Sequence, residues 1–288
     1  MLLKEVRYAR PETLEDATDI LESNKNARVL AGGQSLINVM KHRIATPEVL
    51  VDIGGISGLD RVQIEEDGTL SVGAMATYDG LHHSDELTQT YPILARVVGR
   101  LADQQVRNRG TIGGNLCYSD PTSNLPPLMV VMEATMMVTG PSGERRVAAE
   151  DYFRGAYEVD LRRGEMLTSI SLPAPKENTG YGFAILRVNA DGWGIVHASA
   201  AATLENSTLG DCRLALGCVA ARPVRAEAME SALRGEEPTE ENIRQASAGL
   251  GNELDPVSDA HASSDYRRRM AEVMARRAIL QAVAETRR

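Results

Sequence analysis

Two short glycine-rich segments are the residues of this chain whose types and spacing best suit a chemical task. The first is segment 31–36 (AGGQSL) and the second is segment 111–115 (TIGGN). Glycine has no Cβ, so backbone N–H groups beside it can come close to an anion, and neighbouring hydroxyl and amide side chains add donors. Neither segment carries the lysine of a nucleotide triphosphate loop. Each alone is also typical of an ordinary turn, but the pair indicates a site for a diphosphate.

Other kinds of active site have little support in the sequence. A Rossmann-type dinucleotide site needs a Gly-x-Gly-x-x-Gly spacing, and segment 54–58 (GGISG) is the nearest approach but does not match it. The five histidines are scattered, without a carboxylate at the spacing of a triad or a metal face. The three cysteines are too few for a four-cysteine iron–sulfur cluster. We therefore expect a chain that holds a cofactor, supplies no catalytic acid or base and ligates no metal.

Composition narrows the class of protein further. The 288 residues favour two domains, and a formal net charge of −9 argues against a general nucleic-acid binder. Charged residues interrupt the N-terminal stretch, so it does not have the pattern of a secretory signal. The most apolar stretch, residues 125–132, contains two prolines and is too short to span a bilayer. We expect a cytoplasmic protein with no membrane span, and the few cysteines fit a reducing compartment.

Hydrophobic periodicity places each glycine segment at the boundary of a regular element. In the N-terminal part, a strand leads into the first glycine segment and a helix follows it, which predicts a βα unit with its glycines at the turn. The Asp67-Gly68 step predicts a hairpin. The predicted helices are 12–23, 36–42 and 91–102, and the predicted strands or apolar runs are 27–31, 49–53, 62–64, 70–72, 128–132, 135–139, 145–148 and 166–172.

Prolines 173 and 175 and the polar residues after them mark the best candidate for a domain boundary. Beyond it, the patterns predict a small sheet from strands 182–187, 195–204 and 212–220. Helices are predicted over 226–233, 240–250 and 266–283. We expect the arginines of the last helix to lie on a solvated face, and these are Arg267, Arg268, Arg269, Arg276 and Arg277.

Segments 31–36 and 105–115 resemble the FAD-binding medium subunits of the molybdenum hydroxylase family, to which xanthine dehydrogenase, carbon monoxide dehydrogenase and quinoline oxidoreductase belong. Both glycine motifs stand in the same order, and the resemblance extends over the whole chain. It implies an α+β fold: an FAD-binding domain of two α/β subdomains, of the PCMH or vanillyl-alcohol-oxidase-like type, followed by a C-terminal α+β domain with a small antiparallel sheet and helices. We place the FAD-binding domain at 1–175, with subdomains of about 1–57 and 58–175, and the C-terminal domain at 176–288.

The resemblance also implies which residues contact FAD. Residues 29–36 and 111–115 would wrap the diphosphate, with backbone donors from the glycines and side-chain donors from Ser35, Thr111 and Asn115. Apolar and aromatic residues would lie near the flavin ring or the adenine. The expected contacts are Val29, Leu30, Ala31, Gly32, Gly33, Gln34, Ser35, Leu36, Leu101, Ala102, Thr111, Gly113, Gly114, Asn115, Tyr118, Asn124, Leu167 and Trp193. Leucines and a tryptophan are equally expected as plain packing residues.

The sequence departs from the family pattern at two positions. Asn124 stands where relatives often have an aspartate at the cofactor's ribose, and an amide can still form that hydrogen bond without a charge. Near residues 184–189 some relatives carry a lysine by the flavin, whereas this chain has only Arg187.

By resemblance, the chain is the FAD-carrying electron-transfer subunit of a molybdenum-containing hydroxylase. Electrons would reach FAD from [2Fe-2S] clusters on a small partner subunit and leave to an external acceptor. A large partner subunit with molybdopterin cytosine dinucleotide would oxidise an N-heteroaromatic or another small molecule, in an (αβγ)₂ heterohexamer. Two alternatives stay open: a stand-alone FAD-dependent oxidase of related flavin fold, and a cofactor-free scaffold subunit.

Overall fold

The N-terminal unit is a small parallel sheet with a helix in each crossover. The structure is a computed structural model and describes residues 3–189 and 192–286. The three strands pair in the order β1-β3-β2 and both pairings are parallel. In chain order the elements are β1 (Arg7–Ala9), α1 (Leu14–Ser23), β2 (Ala27–Leu30), α2 (Leu36–Lys41) and β3 (Val49–Asp52).

Local signals explain where the first helix of this unit starts and which face it buries. The Thr13 hydroxyl accepts a hydrogen bond from the Asp16 amide at 3.1 Å, which satisfies one of the free N–H groups at the start of α1. Ala17 and Leu21, one turn apart, are buried against the sheet. Met166 joins the same core and ties this unit to the next one.

The second unit is a five-stranded antiparallel sheet with short helices against it. Its strands pair in the order β4-β5-β10-β6-β7, and β8 pairs separately with β9. The elements are β4 (Val62–Ile64), β5 (Leu70–Gly73), α3 (Tyr78–His82), α4 (Asp85–Thr90), α5 (Pro92–Val98), α6 (Gln104–Arg107), α7 (Ile112–Tyr118), α8 (Leu125–Val131), β6 (Thr135–Gly140), β7 (Gly143–Ala148), α9 (Ala149–Tyr152), β8 (Phe153–Gly155), β9 (Glu158–Val159) and β10 (Met166–Leu172).

The C-terminal unit is a four-stranded antiparallel sheet in the order β11-β12-β13-β14, covered by helices on one face. Two glycines of its first strand let the long last helix lie directly on the sheet. A Cβ on Gly182 would lie 1.9 Å from the carbonyl oxygen of Ala278, so only glycine permits this contact. The elements are β11 (Thr179–Arg187), β12 (Gly194–Glu205), β13 (Thr208–Gly217), β14 (Val224–Arg225), α10 (Glu227–Leu233), α11 (Glu240–Ala246) and α12 (Ser264–Glu285).

Helix α8 joins the second unit to the C-terminal unit. All seven of its residues are buried, and it packs against β12 and β13. Phe183, Ala201 and Ala215 of the C-terminal sheet belong to the same hydrophobic core as the five-stranded sheet. The two units therefore share a core along one face of the C-terminal sheet, and the other face has its own core under α12.

The expected α+β class is confirmed, with differences at the level of single elements. Helix α5 ends at Val98 rather than near 102, with Gly99 as its C-cap residue. Strand β1 and the short helices around the second glycine segment are too short for their hydrophobic residues to show a clear periodicity.

The prediction that the arginines of the last helix are all solvated is wrong for Arg267, which is only 3% exposed. Its guanidinium donates to the Ile195 carbonyl at 2.5 Å and to Asp259 at 2.6 Å, so its charge is compensated inside the protein. Helical spacing could not reveal these partners, because both lie far from Arg267 in the sequence or in a separate loop.

Candidate functional site

The two glycine segments lie in direct contact. A Cβ on Gly32 would stand 1.9 Å from the carbonyl oxygen of Arg109 and 3.2 Å from the Cα of Gly110. The position of a Cβ on Gly114 lies 3.8 Å from the Cβ of Ala31. The sequence separates the segments by about eighty residues, yet the backbone of the first touches the residues just before the second, so one ligand can reach both.

The first segment is a turn between the end of β2 and the start of α2. Gly33 has φ +74°, a left-handed conformation that favours glycine, and the Gln34 side chain donates to the Gly32 carbonyl at 3.0 Å. Within the described residues, no protein group accepts a hydrogen bond from the backbone N–H groups of residues 32–36. This turn therefore offers a row of donors to a ligand.

The second segment is the first turn of α7, and its donors are already paired. The Thr111 hydroxyl accepts from the Gly114 amide at 3.1 Å, and the Gly113 amide donates to the Ala74 carbonyl at 2.9 Å. In this structure the amides of Gly113 and Gly114 therefore have protein acceptors, whereas those of the first segment do not. The glycines of the second segment serve close packing, since a Cβ on Gly113 would lie 2.5 Å from the Cβ of Ala74.

A cleft of about 320 Å³ opens beside the first turn. Two cations, Lys41 and Arg109, stand in its wall with one carboxylate, Asp52, at the end of β3. The Tyr8 hydroxyl donates to Asp52, and this hydrogen bond raises the pKa of the phenol. The residues that line the cleft are Leu30, Ala31, Gly32, Gly33, Gln34, Ile37, Asn38, Lys41, Asp52 and Arg109.

Asn115, the last residue of the second segment, is held in place from two sides. The Ser123 hydroxyl donates to its Oδ1 at 2.5 Å, and its side chain also hydrogen-bonds the hydroxyl of Tyr78. Burial raises the pKa of Tyr78 to about 12, so this phenol stays neutral and can take part in a fixed hydrogen-bond network. The network orients Asn115 at the contact between the two segments.

Comparison with protein families matches nearly the whole chain. Residues 4–175 match the FAD-binding domain in molybdopterin dehydrogenase, and residues 181–282 match the CO dehydrogenase flavoprotein C-terminal domain. The chain belongs to the FAD-binding medium subunits of the molybdenum hydroxylases. It is accordingly an oxidoreductase flavoprotein subunit with FAD as its cofactor.

Individual relatives of this medium subunit align over nearly their full length. The carbon monoxide dehydrogenase medium chain of Afipia carboxidovorans is 38% identical over 279 residues, 96% of each chain. The nicotine 6-hydroxylase medium subunit of Paenarthrobacter nicotinovorans is 32% identical over 99% of this chain and 100% of its own. Among solved structures, reconstituted CO dehydrogenase from Oligotropha carboxidovorans superposes with a TM-score of 0.95 at 36% identity, covering 99% of this chain and 100% of that one.

The residues at the first turn suit the diphosphate of FAD. An anion there would meet the unpaired amides of residues 32–36 and the two cations of the cleft wall. Gly32 and Arg109 are packed so closely that not even a Cβ fits between them. A ligand therefore cannot enter between these two residues and must bind on the outer side of the first turn.

Other residues that were predicted to contact FAD do not line this cleft. Leu101 is half-buried on the main core, and the Ala102 carbonyl accepts from Arg107 at 2.6 Å. Leu167 is buried in β10, and Asn124 is buried where α8 begins. Tyr118 packs edge-on against Tyr157, with 5.0 Å between the ring centroids.

Trp193 is 67% exposed just before β12, at the tip of the hairpin that β11 and β12 form. Its neighbours Ala190 and Asp191 lie outside the described residues. Arg187, which pairs with Gly194 across this hairpin, donates to the carbonyl oxygen of Arg100 at 3.3 Å. This hydrogen bond joins the end of β11 to the residue just before Leu101 and Ala102.

Sequence reasoning missed the charged residues of the cleft, Lys41, Asp52 and Arg109. Asp52 carried a usable signal, because it directly follows the apolar run of β3 and ends a strand in the same unit as the first glycine turn. Ligands bind at the carboxyl ends of parallel strands. What the sequence did not show is that β2 and β3 are neighbours in the sheet.

Proposed function

We propose that this medium subunit carries electrons within a molybdenum hydroxylase complex. It takes them from [2Fe-2S] clusters of a small partner subunit and delivers them, through FAD, to an external acceptor. The substrate, an N-heteroaromatic or another small molecule, is oxidised at the large molybdenum subunit. The observation that carries the proposal is the contact of the two glycine segments beside a cleft that has unpaired amides and two cations.

Within this function, the protein's own residues bind and orient the cofactor. The amides of residues 32–36 and the side chain of Ser35 would hold the diphosphate, with Thr111, Gly113, Gly114 and Asn115 forming the packed wall behind it. Leu101, Ala102, Tyr118, Asn124, Leu167 and Trp193 would surround the rest of FAD. Bound FAD supplies the redox chemistry, and no side chain here need act as an acid or a base.

The proposed assembly is an (αβγ)₂ heterohexamer in the cytoplasm, with molybdopterin cytosine dinucleotide on the large subunit. The relatives are named medium chain and medium subunit, which supports partner subunits of other sizes. Among the described residues, no helix is long and apolar enough to cross a membrane. We also propose domains at 1–175 and 176–288, the first divided near residue 57, which agrees with the ends of β3 and β10.

The proposal is tested on the complex purified through a tag on this chain. We expect about one FAD per medium subunit, together with molybdenum and iron from the partners. Anaerobic addition of an oxidisable small molecule, found by screening heteroaromatics, purines, aldehydes and carbon monoxide, should bleach the flavin absorbance. The medium subunit alone should not respond to the same compound, which separates the proposal from a stand-alone oxidase.

Two results would contradict it. One is a folded complex without flavin. The other is a flavin that stays oxidised after the molybdenum and iron–sulfur centres of the complex have been reduced.

A further inference from the structure

The turn between α5 and α6, residues 99–103, contains a strained residue that one arginine holds in place. Ala102 has φ +44°, in the left-handed region that a residue with a Cβ rarely adopts. The Arg107 guanidinium donates from one nitrogen, Nη1, to the Leu101 carbonyl at 3.0 Å and to the Ala102 carbonyl at 2.6 Å. Both hydrogen bonds have a charged donor, which makes them stronger than bonds between neutral groups. Arg107 therefore stabilises a backbone conformation that alanine by itself disfavours.

Gln104 fixes the guanidinium of Arg107 from its other side. The second terminal nitrogen, Nη2, donates to Oε1 of Gln104 at 2.9 Å, and the Gln104 amide donates in turn to Asp79 of α3 at 2.7 Å. A planar guanidinium that is held in this way presents its remaining donors in a fixed direction, here toward the turn. The orientation of Arg107 is thus built into the protein before any ligand arrives.

The two held carbonyls decide where the neighbouring amides point. In a trans peptide the N–H lies opposite to the C=O, so carbonyls directed at Arg107 turn the N–H groups of Ala102 and Asp103 to the other side of the turn. Neither of these amides donates to an acceptor within the described residues. Two successive donors of this kind suit a ligand that carries hydrogen-bond acceptors.

We propose that Arg107 is a positioning residue of the cofactor site, which holds the turn of Leu101 and Ala102 in the one backbone conformation that receives FAD. The inference rests on the proposed function, in which both of these residues contact FAD, and deepens it. Arg107 acts through the two carbonyls and not by contact with the cofactor. Loss of its side chain should therefore lower the affinity for FAD without removing a group that touches it.

The test uses the full-length chain after removal of its flavin and measures the dissociation constant of FAD by flavin fluorescence. We expect Arg107→Met to weaken FAD binding about tenfold or more, because the turn loses both hydrogen bonds. Arg107→Lys should give an intermediate affinity, since an ammonium group has no planar fork. Arg100→Met is the matched control: it removes an exposed arginine of the same turn and should leave the affinity within about twofold of wild type.

A second substitution separates positioning from general stability. Glycine adopts the left-handed conformation without the cost that a Cβ imposes, so Ala102→Gly in the Arg107→Met chain should restore the affinity to within about threefold of wild type. Ala102→Gly alone should change the affinity by less than about twofold. If Arg107 only stabilised the fold, glycine would restore nothing, because it makes the unfolded chain more flexible. Thermal melting of the flavin-free chains measures the stability of the fold separately.

Wild-type FAD affinity in Arg107→Met overturns the inference, and so does an Arg107→Met chain that Ala102→Gly does not improve. In both cases FAD binding by the wild-type chain leaves the proposed function standing. A folded wild-type chain that binds no FAD overturns both. If Arg107→Met does not fold, Ala102→Val decides, because a β-branched residue disfavours the left-handed conformation while Arg107 stays in place. Unchanged FAD affinity in that variant contradicts the inference.

Discussion

His197 shows how a single buried residue departs from its ordinary chemistry. It is completely buried in β12, neither ring nitrogen has a hydrogen-bond partner among the described side chains, and its ring lies 5.9 Å from that of Phe183. Burial, with the nearby charge of Arg187 as a smaller cause, lowers the pKa of His197 to about 3. The imidazole of His197 is therefore uncharged throughout the physiological range.

This pKa makes stability depend on pH with a known sign. The folded-state pKa lies below the ordinary value of 6.5, so the unfolded chain binds the proton first. The contribution of His197 is complete above pH 6.5 and is lost as the pH falls toward 3, with a slope of up to about 1.4 kcal/mol per pH unit. The test is urea unfolding of the wild type and His197→Gln between pH 7 and 5. The loss of unfolding free energy that comes from His197 should appear only in the wild type.

The matched control is His42→Gln, which changes an exposed histidine. It should keep the wild-type pH dependence. If the free energy of unfolding changes equally with pH in the wild type and in His197→Gln, the buried ring is not the source of the pH dependence.

At the scale of elements, the turn after β2 and the start of α7 form one unit through backbone contact. Gly32 meets the carbonyl oxygen of Arg109, and Thr111 caps helix α7, which begins within the second segment. A methyl group at Gly32 cannot be accommodated by rotating a side chain, because the atom it meets belongs to the backbone. The two turns must separate.

We expect Gly32→Ala to lower FAD affinity at least about tenfold and to destabilise the chain by about 1–3 kcal/mol through overpacking. Flavin fluorescence gives the affinity and thermal melting gives the stability. Gly58→Ala is the control: Gly58 has φ +86° and open space around its Cβ position, so alanine there costs about 1–2 kcal/mol of backbone strain but should leave FAD bound. Full FAD affinity in Gly32→Ala would remove the basis for a joint site.

At the scale of the whole molecule, charged pairs as well as the shared core hold the domains together. Arg225 in β14 donates to Glu230, which is almost fully buried, and also lies 3.3 Å from Glu150 of the FAD-binding domain. Glu230 additionally accepts from the Leu214 amide at 2.8 Å. Its charge is thus compensated at the place where the two domains meet, and the pairing raises the pKa of Arg225 above its ordinary value.

The two ion pairs of Arg225 should contribute very differently to stability. Arg225→Met leaves a buried carboxylate without its counter-charge and should lower the free energy of unfolding by about 3–5 kcal/mol. Glu150→Gln removes only a half-exposed partner and should cost less than about 1 kcal/mol. Urea denaturation followed by circular dichroism measures the free energy of unfolding of both variants. Similar losses in the two would mean that the buried charge of Glu230 does not depend on Arg225 for its compensation.

Periodicity located most of the long elements because each one buries a continuous face. Strand β10 was predicted at its observed bounds, and α1 and α12 within two residues, since their apolar residues recur at strand or helix spacing. The short helices α3, α4, α6 and α7 were not predicted. Their starts depend on caps such as Asp103 and Thr111, which act through single hydrogen bonds and leave no period.

Of the candidate site, the sequence by itself determined the two glycine segments, the family and thereby FAD as the cofactor. It could do so because these features depend on residue types within a few neighbours, and a diphosphate needs small residues and donors in one short stretch. Only the tertiary structure decided that Gly32 touches Arg109, that the amides of 32–36 are unpaired while those of Gly113 and Gly114 are not, and that Asp52 stands beside them. Those facts come from the order of strands and the packing of distant segments, which no local pattern encodes.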